Sequence, residues 1–99
     1  MKESYITLRS GSVMDMFEPQ LDPCLVGRVI ARFRNEKGWT QEVLSGLAAV
    51  GRTHLSAIEN GERKPTLETL YRISCALDVP MWKIVQAIEE ELNQEPGHG

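Results

Sequence analysis

The sequence predicts an all-α domain of five short helices, preceded by an N-terminal arm. Three observations carry this reading. Apolar residues recur at spacings of three and four along most of the chain from Leu25 to Leu92, the period of helices with one buried face. Gly38 and Gly61 stand just past two such runs, where glycine commonly ends a helix. No stretch of this region reads as a convincing strand. The 99 residues suit one domain, and 41% hydrophobic with 25% charged is an ordinary globular composition.

The elements follow in order. Residues 1–24 hold no helical period and read as an arm, partly disordered or extended. Tyr5-Ile6-Thr7-Leu8 suits a short extended stretch, Ser10-Gly11-Ser12 breaks it, and Pro19 and Pro23 bracket a turn-rich approach. The domain proper spans 25–92. Its first helix is predicted from Leu25 to Lys37, with Val26, Val29, Ile30 and Phe33 inward. Thr40 offers a hydroxyl as N-cap for a second helix, which runs to about Ala48 with Leu44 and Ala48 inward. Ala49-Val50-Gly51 is a short connector. A third helix runs from near Arg52 to Asn60, with Leu55 and Ile58 inward. After the polar loop Glu62-Arg63-Lys64-Pro65, Thr66 caps a fourth helix striped by Leu67, Leu70, Ile73, Ala76 and Leu77. Pro80 opens the fifth, whose apolar face is Met81, Ile84, Val85, Ile88 and Leu92. Residues 93–99 read as a loose tail.

Composition excludes several classes of protein. No apolar run approaches the roughly 18–20 residues of a membrane span, and the N-terminus lacks an apolar signal core. The expectation is a cytoplasmic protein with two reduced thiols, Cys24 and Cys75. The only histidines are His54 and His98, and no cysteines are paired at ligand spacing, so neither a metal nor any other cofactor is expected. There is no paired-carboxylate or nucleophile signature, and the chain is read as non-enzymatic.

The informative stretch is Thr40–Gly61, two short helices joined by about three residues, the joint carrying Ala49 and Gly51. That is the layout of a helix-turn-helix, whose second helix lies in the DNA major groove. The resemblance then sharpens. The pieces are Ile30-x-x-Phe33-Arg34, Gly38-Trp39-Thr40-Gln41-x-x-Leu44 and Leu55-x-x-Ile58-Glu59-Asn60-Gly61. Arg63-Lys64-Pro65-Thr66-Leu67-x-Thr69-Leu70 and Ala76-Leu77-Asp78-Val79 follow. In this order and spacing, over nearly two-thirds of the chain, they resemble the Xre/Cro family of helix-turn-helix proteins with its lambda-repressor-like fold of five helices. Restriction-modification controller proteins, antitoxin partners and small phage-type repressors are of similar size.

The resemblance implies a role for each matching residue. Arg52, Thr53, Ser56 and Ala57 fall at the outward, base-reading positions of the recognition helix. A guanidinium at Arg52 can bond guanine O6 and N7 together, and Ala57 can offer only a methyl to a thymine methyl. Thr40, Gln41, His54, Asn60, Arg63 and Lys64 fall where the DNA backbone would be gripped. Arg34 and Glu59 occupy positions that the family fills with a structural ion pair, so Glu59 is expected to be structural although it lies in the recognition helix. Each residue also has an ordinary reading: a solvated arginine at Arg52, a helix-start residue at Thr53, a good first-turn residue at Gln41, solubilising charge at Arg63 and Lys64.

Three features depart from the family pattern. Ala49 stands where glycine is common, with Gly51 nearby to ease the turn. Gly46 interrupts the second helix. Leu47 replaces a frequent charge, either as an isolated exposed leucine or packed on the arm or a partner. Trp82 lies at the edge of the last helical stripe, as core or, with Val85 and Glu89, as part of a dimer interface. The implied function is sequence-specific binding of double-stranded DNA by a homodimer on an inverted repeat, in transcription regulation. The alternative is a protein-interaction module, such as an antitoxin or adaptor, on the same fold. The net charge of −3 hides a segregated pattern. Residues 26–64 carry seven basic and four acidic residues, whereas 1–25 carry two against four and 65–99 two against six. A basic centre between acidic ends points to which face meets a polyanion.

Overall fold

The computed structural model describes residues 18–94. Five helices follow one another: α1 (Pro23–Glu36), α2 (Gln41–Ala48), α3 (Arg52–Glu59), α4 (Leu67–Leu77) and α5 (Met81–Gln94). No strand occurs among the described residues. The extended reading of Tyr5–Leu8, most of the arm and the end of the tail lie outside them.

Each helix begins on a side chain that satisfies a backbone donor or on a residue that tolerates its absence. The Asp22 carboxylate accepts from the Cys24 backbone N–H at 2.9 Å, and Pro23 occupies the first turn. Helix α1 therefore starts two residues before the Leu25 boundary read from sequence. Pro23, which the sequence sets at the end of a turn-rich approach, opens the helix instead, because a proline whose N–H is not needed suits a helix start. Thr40 Oγ1 accepts from Val43 N at 3.2 Å, and Thr66 Oγ1 from Thr69 N at 3.0 Å. Gly51, ahead of α3, makes no side-chain cap. At the other end of the chain α5 continues to Gln94, into the segment read as tail.

The turn between α2 and α3 is closed by two backbone bonds, Ala49 N–H to the Gly46 carbonyl at 3.3 Å and Val50 N–H to the Ser45 carbonyl at 3.0 Å. This is a Schellman closure, which requires its central residue in the left-handed region. Ala49 sits there, with φ 56° and ψ 42°. Gly51 gives no help, since its φ is −58°. The strain falls wholly on alanine. Val50 is buried and anchors the turn to the core. Helix α4 ends in the same way, with Asp78 left-handed.

The core is one cluster contributed by every helix, including Leu25, Ile30, Leu44, Leu55, Ile58, Ile73, Leu77 and Ile84, each fully buried. Helix α1 packs against α3 and α5, and α2 against α3 and α4. Gly27 allows the crossing of α1 and α3: a β-carbon there would collide with the backbone carbonyl oxygens of Ile58 and Glu59. Glycine is thus needed at a position where no turn is made. Gly46, by contrast, has open space beside it, so it weakens α2 without a packing reason. Two stripe residues face solvent instead of the core. Leu67, in the first turn of α4, is 71% exposed, and Val85 is 45% exposed, the buried face of α5 being Ile84, Ala87 and Ile88. Trp82 is also exposed, at 60%, and is not core.

Two substitutions test this backbone. Gly27→Ala is expected to destabilise by about 3 kcal/mol or more, as overpacking against fixed backbone does. Ala49→Gly is expected to stabilise by about 1 kcal/mol, by removing the left-handed penalty of a β-carbon. Chemical denaturation of each variant reads both.

Candidate nucleic-acid interface

Helix α3 divides cleanly by face. Leu55 and Ile58 are buried, while Arg52, Thr53 and His54 are exposed and Ser56 and Ala57 partly so. The division follows from the helical period: 55 and 58 point one way, and 52, 53 and 56 another. Arg52, Thr53, Ser56, Ala57, Asn60 and Glu62 share a shallow depression of about 380 Å³. A second depression takes in Gly51, Thr53, His54, Ala57 and Arg63. Thr53 and Ala57 line both, so the two are continuous across the exposed face of α3. Asn60 Nδ2 lies 3.5 Å from Ser56 Oγ, a long contact that leaves both groups free to re-pair.

What holds α3 in place is a buried polar cluster beneath its last turn. Arg34 Nε donates to Glu59 Oε2 at 2.7 Å, and Arg34 Nη2 donates to Glu59 Oε1 at 2.8 Å. Arg34 Nη1 donates to the Trp39 carbonyl at 2.7 Å. Gln41 Nε2 donates to Glu59 Oε1 at 2.9 Å. The carboxylate side chain is 4% exposed and the guanidinium 13%. Its hydrogen bonds to the Glu59 carboxylate raise the Arg34 pKa above its usual value, against the opposing effect of burial. The forked geometry of arginine fits the carboxylate at both oxygens, which lysine would not do. Helices α1, α2 and α3 are thereby pinned at one point.

Some residues grouped together by sequence separate in space. Thr40 spends its hydroxyl on the α2 cap. Gln41 gives one amide hydrogen to Glu59, so it positions α3 as well as standing at the start of α2. Lys64 does not join Arg63 at the second depression; it lines a separate groove by Leu21, Pro65 and α5. Two residues were missed in the sequence. Glu62, an acidic residue, lines the depression with Arg52 and Asn60. Arg72, on α4, donates from Nη1 to the Ala49 carbonyl at 3.3 Å and from Nη2 to Glu68 at 3.1 Å. It braces the strained turn from 23 residues away, a separation that no local pattern reveals.

A family model for the helix-turn-helix matches residues 30–81. The chain belongs to this family, in its Xre/Cro-like branch. Over 66 residues it is 41% identical to an uncharacterised HTH-type transcriptional regulator of Sinorhizobium fredii, covering 67% of this chain and 86% of that one. It is 31% identical over 67 residues to the HTH-type transcriptional regulator SinR of Bacillus subtilis, whose length it spans to 60%. Among solved structures, the restriction-modification controller protein C.Esp1396I is similar at a TM-score of 0.70 and 30% identity, over 78% of this chain and all of that one. The controller protein C.AhdI of Aeromonas hydrophila gives 0.63 at 26% identity, over 66% and 98%. The fold of this helix-turn-helix protein is therefore the lambda-repressor-like arrangement of five helices.

The buried cluster sets a stability test. Glu59→Gln leaves the Arg34 charge without its partner, and removing one member of a buried pair costs about 3–5 kcal/mol. The double variant Arg34→Met/Glu59→Gln is expected to lose less than the sum of the two single changes. Urea melts of the three variants measure both quantities.

Proposed function

We propose that this protein is a sequence-specific double-stranded-DNA-binding transcriptional regulator that reads the major groove with α3. The observation that carries this is the exposed face of α3, whose polar side chains the core does not need, set on a helix clamped from below by Glu59. Arg52, Thr53, Ser56 and Ala57 take the base edges. His54, Asn60 and Arg63 take backbone on the flanks, together with the first turn of α2 at Thr40 and Gln41. Helix N-termini and basic side chains both favour phosphate there. Kinship with transcriptional regulators and controller proteins supports the reading.

The acidic ends of the chain limit non-specific attraction, so affinity leans on base contacts and on pairing of two copies. We infer a homodimer on an inverted repeat. Trp82 and Val85, exposed on α5, and the neighbouring Glu89 supply the apolar and polar parts of its interface. A two-fold dimer sets the recognition helices about 34 Å apart, one DNA turn. A second reading, a protein-interaction module, has its own support in Leu47 of α2 and Tyr71 of α4, 59% and 55% exposed. A protein partner would use these exposed apolar side chains.

Selection of bound duplexes from a random pool tests the DNA reading. Arg52→Ala is expected to reduce the preference for the selected sequence about 10–100-fold, the loss of one bidentate base contact. Arg63→Ala is expected to weaken all duplexes alike and lower the salt slope by about 1. Glu62→Gln is expected to strengthen non-specific binding. If Arg52→Ala leaves preference unchanged, α3 is not the reading element. Trp82→Asp is expected to shift sedimentation from dimer to monomer.

A further inference from the structure

Among the residues that line the depression with Arg52, Glu62 alone is acidic. It is exposed, and its side chain has no hydrogen bond or ion pair among the described residues. Glu59, at the end of α3, is by contrast fully engaged by Arg34 and Gln41. The backbone that carries Glu62 is nevertheless fixed. Glu62 N–H donates to the Ala57 carbonyl at 2.8 Å and Gly61 N–H to the Ile58 carbonyl at 3.1 Å. This is a Schellman closure, with Gly61 left-handed at φ 81°. A β-carbon at Gly61 would collide with Cys24 of α1, so the turn has no room to relax on that side. The closure brings residue 62 back to the exposed face of α3, into the company of Thr53, Ser56 and Asn60.

An ionised carboxylate repels phosphate, so Glu62 weakens any grip on the DNA backbone. Its favourable contacts lie at base edges, and there its chemistry is selective. A carboxylate only accepts hydrogen bonds. Guanine offers the major groove two acceptors, and thymine an acceptor and a methyl. Adenine sets its amino group beside the acceptor N7, which repels a carboxylate. Cytosine offers its N4 amino group as a donor, with no acceptor of its own beside it. We infer that Glu62 is a specificity-determining residue, its carboxylate accepting from the N4 amino group of a cytosine at the margin of the site that α3 reads. The inference rests on the reading of α3 as a DNA-recognition helix. Arg52 and Glu62 then give one depression a donor-only and an acceptor-only group, suited to guanine and to cytosine respectively.

Selection of duplexes from a random pool, run in parallel on the wild type, Arg52→Ala, Glu62→Ala and Glu62→Gln, tests it. Both Glu62 changes alter an exposed side chain without a partner among the described residues, so they keep the fold. The wild type is expected to prefer cytosine about 10-fold at one position outside the one lost in Arg52→Ala. Glu62→Ala is expected to abolish that preference and no other. Glu62→Gln is expected to change it to adenine, because an amide pairs with adenine N6 and N7 together. Tighter binding of every duplex with an unchanged motif would show that Glu62 only repels phosphate, and would overturn the inference while α3 stood as the reading element. Loss in both Glu62 variants of the preference that Arg52→Ala removes would make Glu62 a support for Arg52, and would overturn it as well. A wild type that selects no sequence would overturn the reading of α3 itself, and the inference with it.

Discussion

The Glu59 carboxylate accepts hydrogen bonds from two helices other than its own. Arg34 reaches it from α1 with two bonds and Gln41 from α2 with one, and Arg34 also holds the Trp39 carbonyl between them. A buried charge is tolerable only when such partners replace water, so this carboxylate fixes the relative placement of the three elements that present α3. Its contribution is geometric more than energetic. The apolar cluster supplies the driving force for folding, but apolar contacts are non-directional. The forked bond to Arg34 specifies the angle.

The backbone accepts constraints to reach the same arrangement. Helix α1 lies so close to α3 that Gly27 has no room for a β-carbon, which places the Arg34 arm of the cluster within reach of Glu59. Ala49 is held left-handed between α2 and α3, and Arg72 braces its carbonyl from α4. The exposed face of α3 is thus supported at its start by a strained turn and at its end by a buried ion pair. A helix supported in this way has little conformational freedom left to lose on meeting a partner.

Charge and apolarity divide the surface into different tasks. The basic excess lies in residues 26–64, among which Arg52 and Arg63 border the α3 face, whereas α5 carries Glu89, Glu90 and Glu91. Glu91 is joined to Arg32 of α1 at 3.3 Å, so part of this acidity ties α5 to the body of the domain. The exposed apolar residues Trp82 and Val85 also lie on α5, away from the depressions on α3. The exposed apolar side chains of α5 and the exposed face of α3 therefore occupy different parts of the surface.

Most of the fold was legible in the sequence because helical periodicity and capping are local. Leu44 with Ala48, Leu55 with Ile58, and Thr40 and Thr66 as caps needed only neighbours within four residues. The outward face of α3 followed from the same period, and the resemblance assigned it a task. The sequence by itself thus determined the five helices, the face that α3 turns outward and the basic centre of the chain. Tertiary structure alone decided the rest. It gave Gln41 to Glu59, placed Lys64 in a different groove from Arg63, brought Glu62 beside Arg52, and set Arg72 against Ala49. It also turned Leu67, Trp82 and Val85 to solvent and made Gly27 indispensable. The physical reason is common to all of these. Each depends on where a second helix lies, and a pattern with a reach of four residues carries no information about that distance.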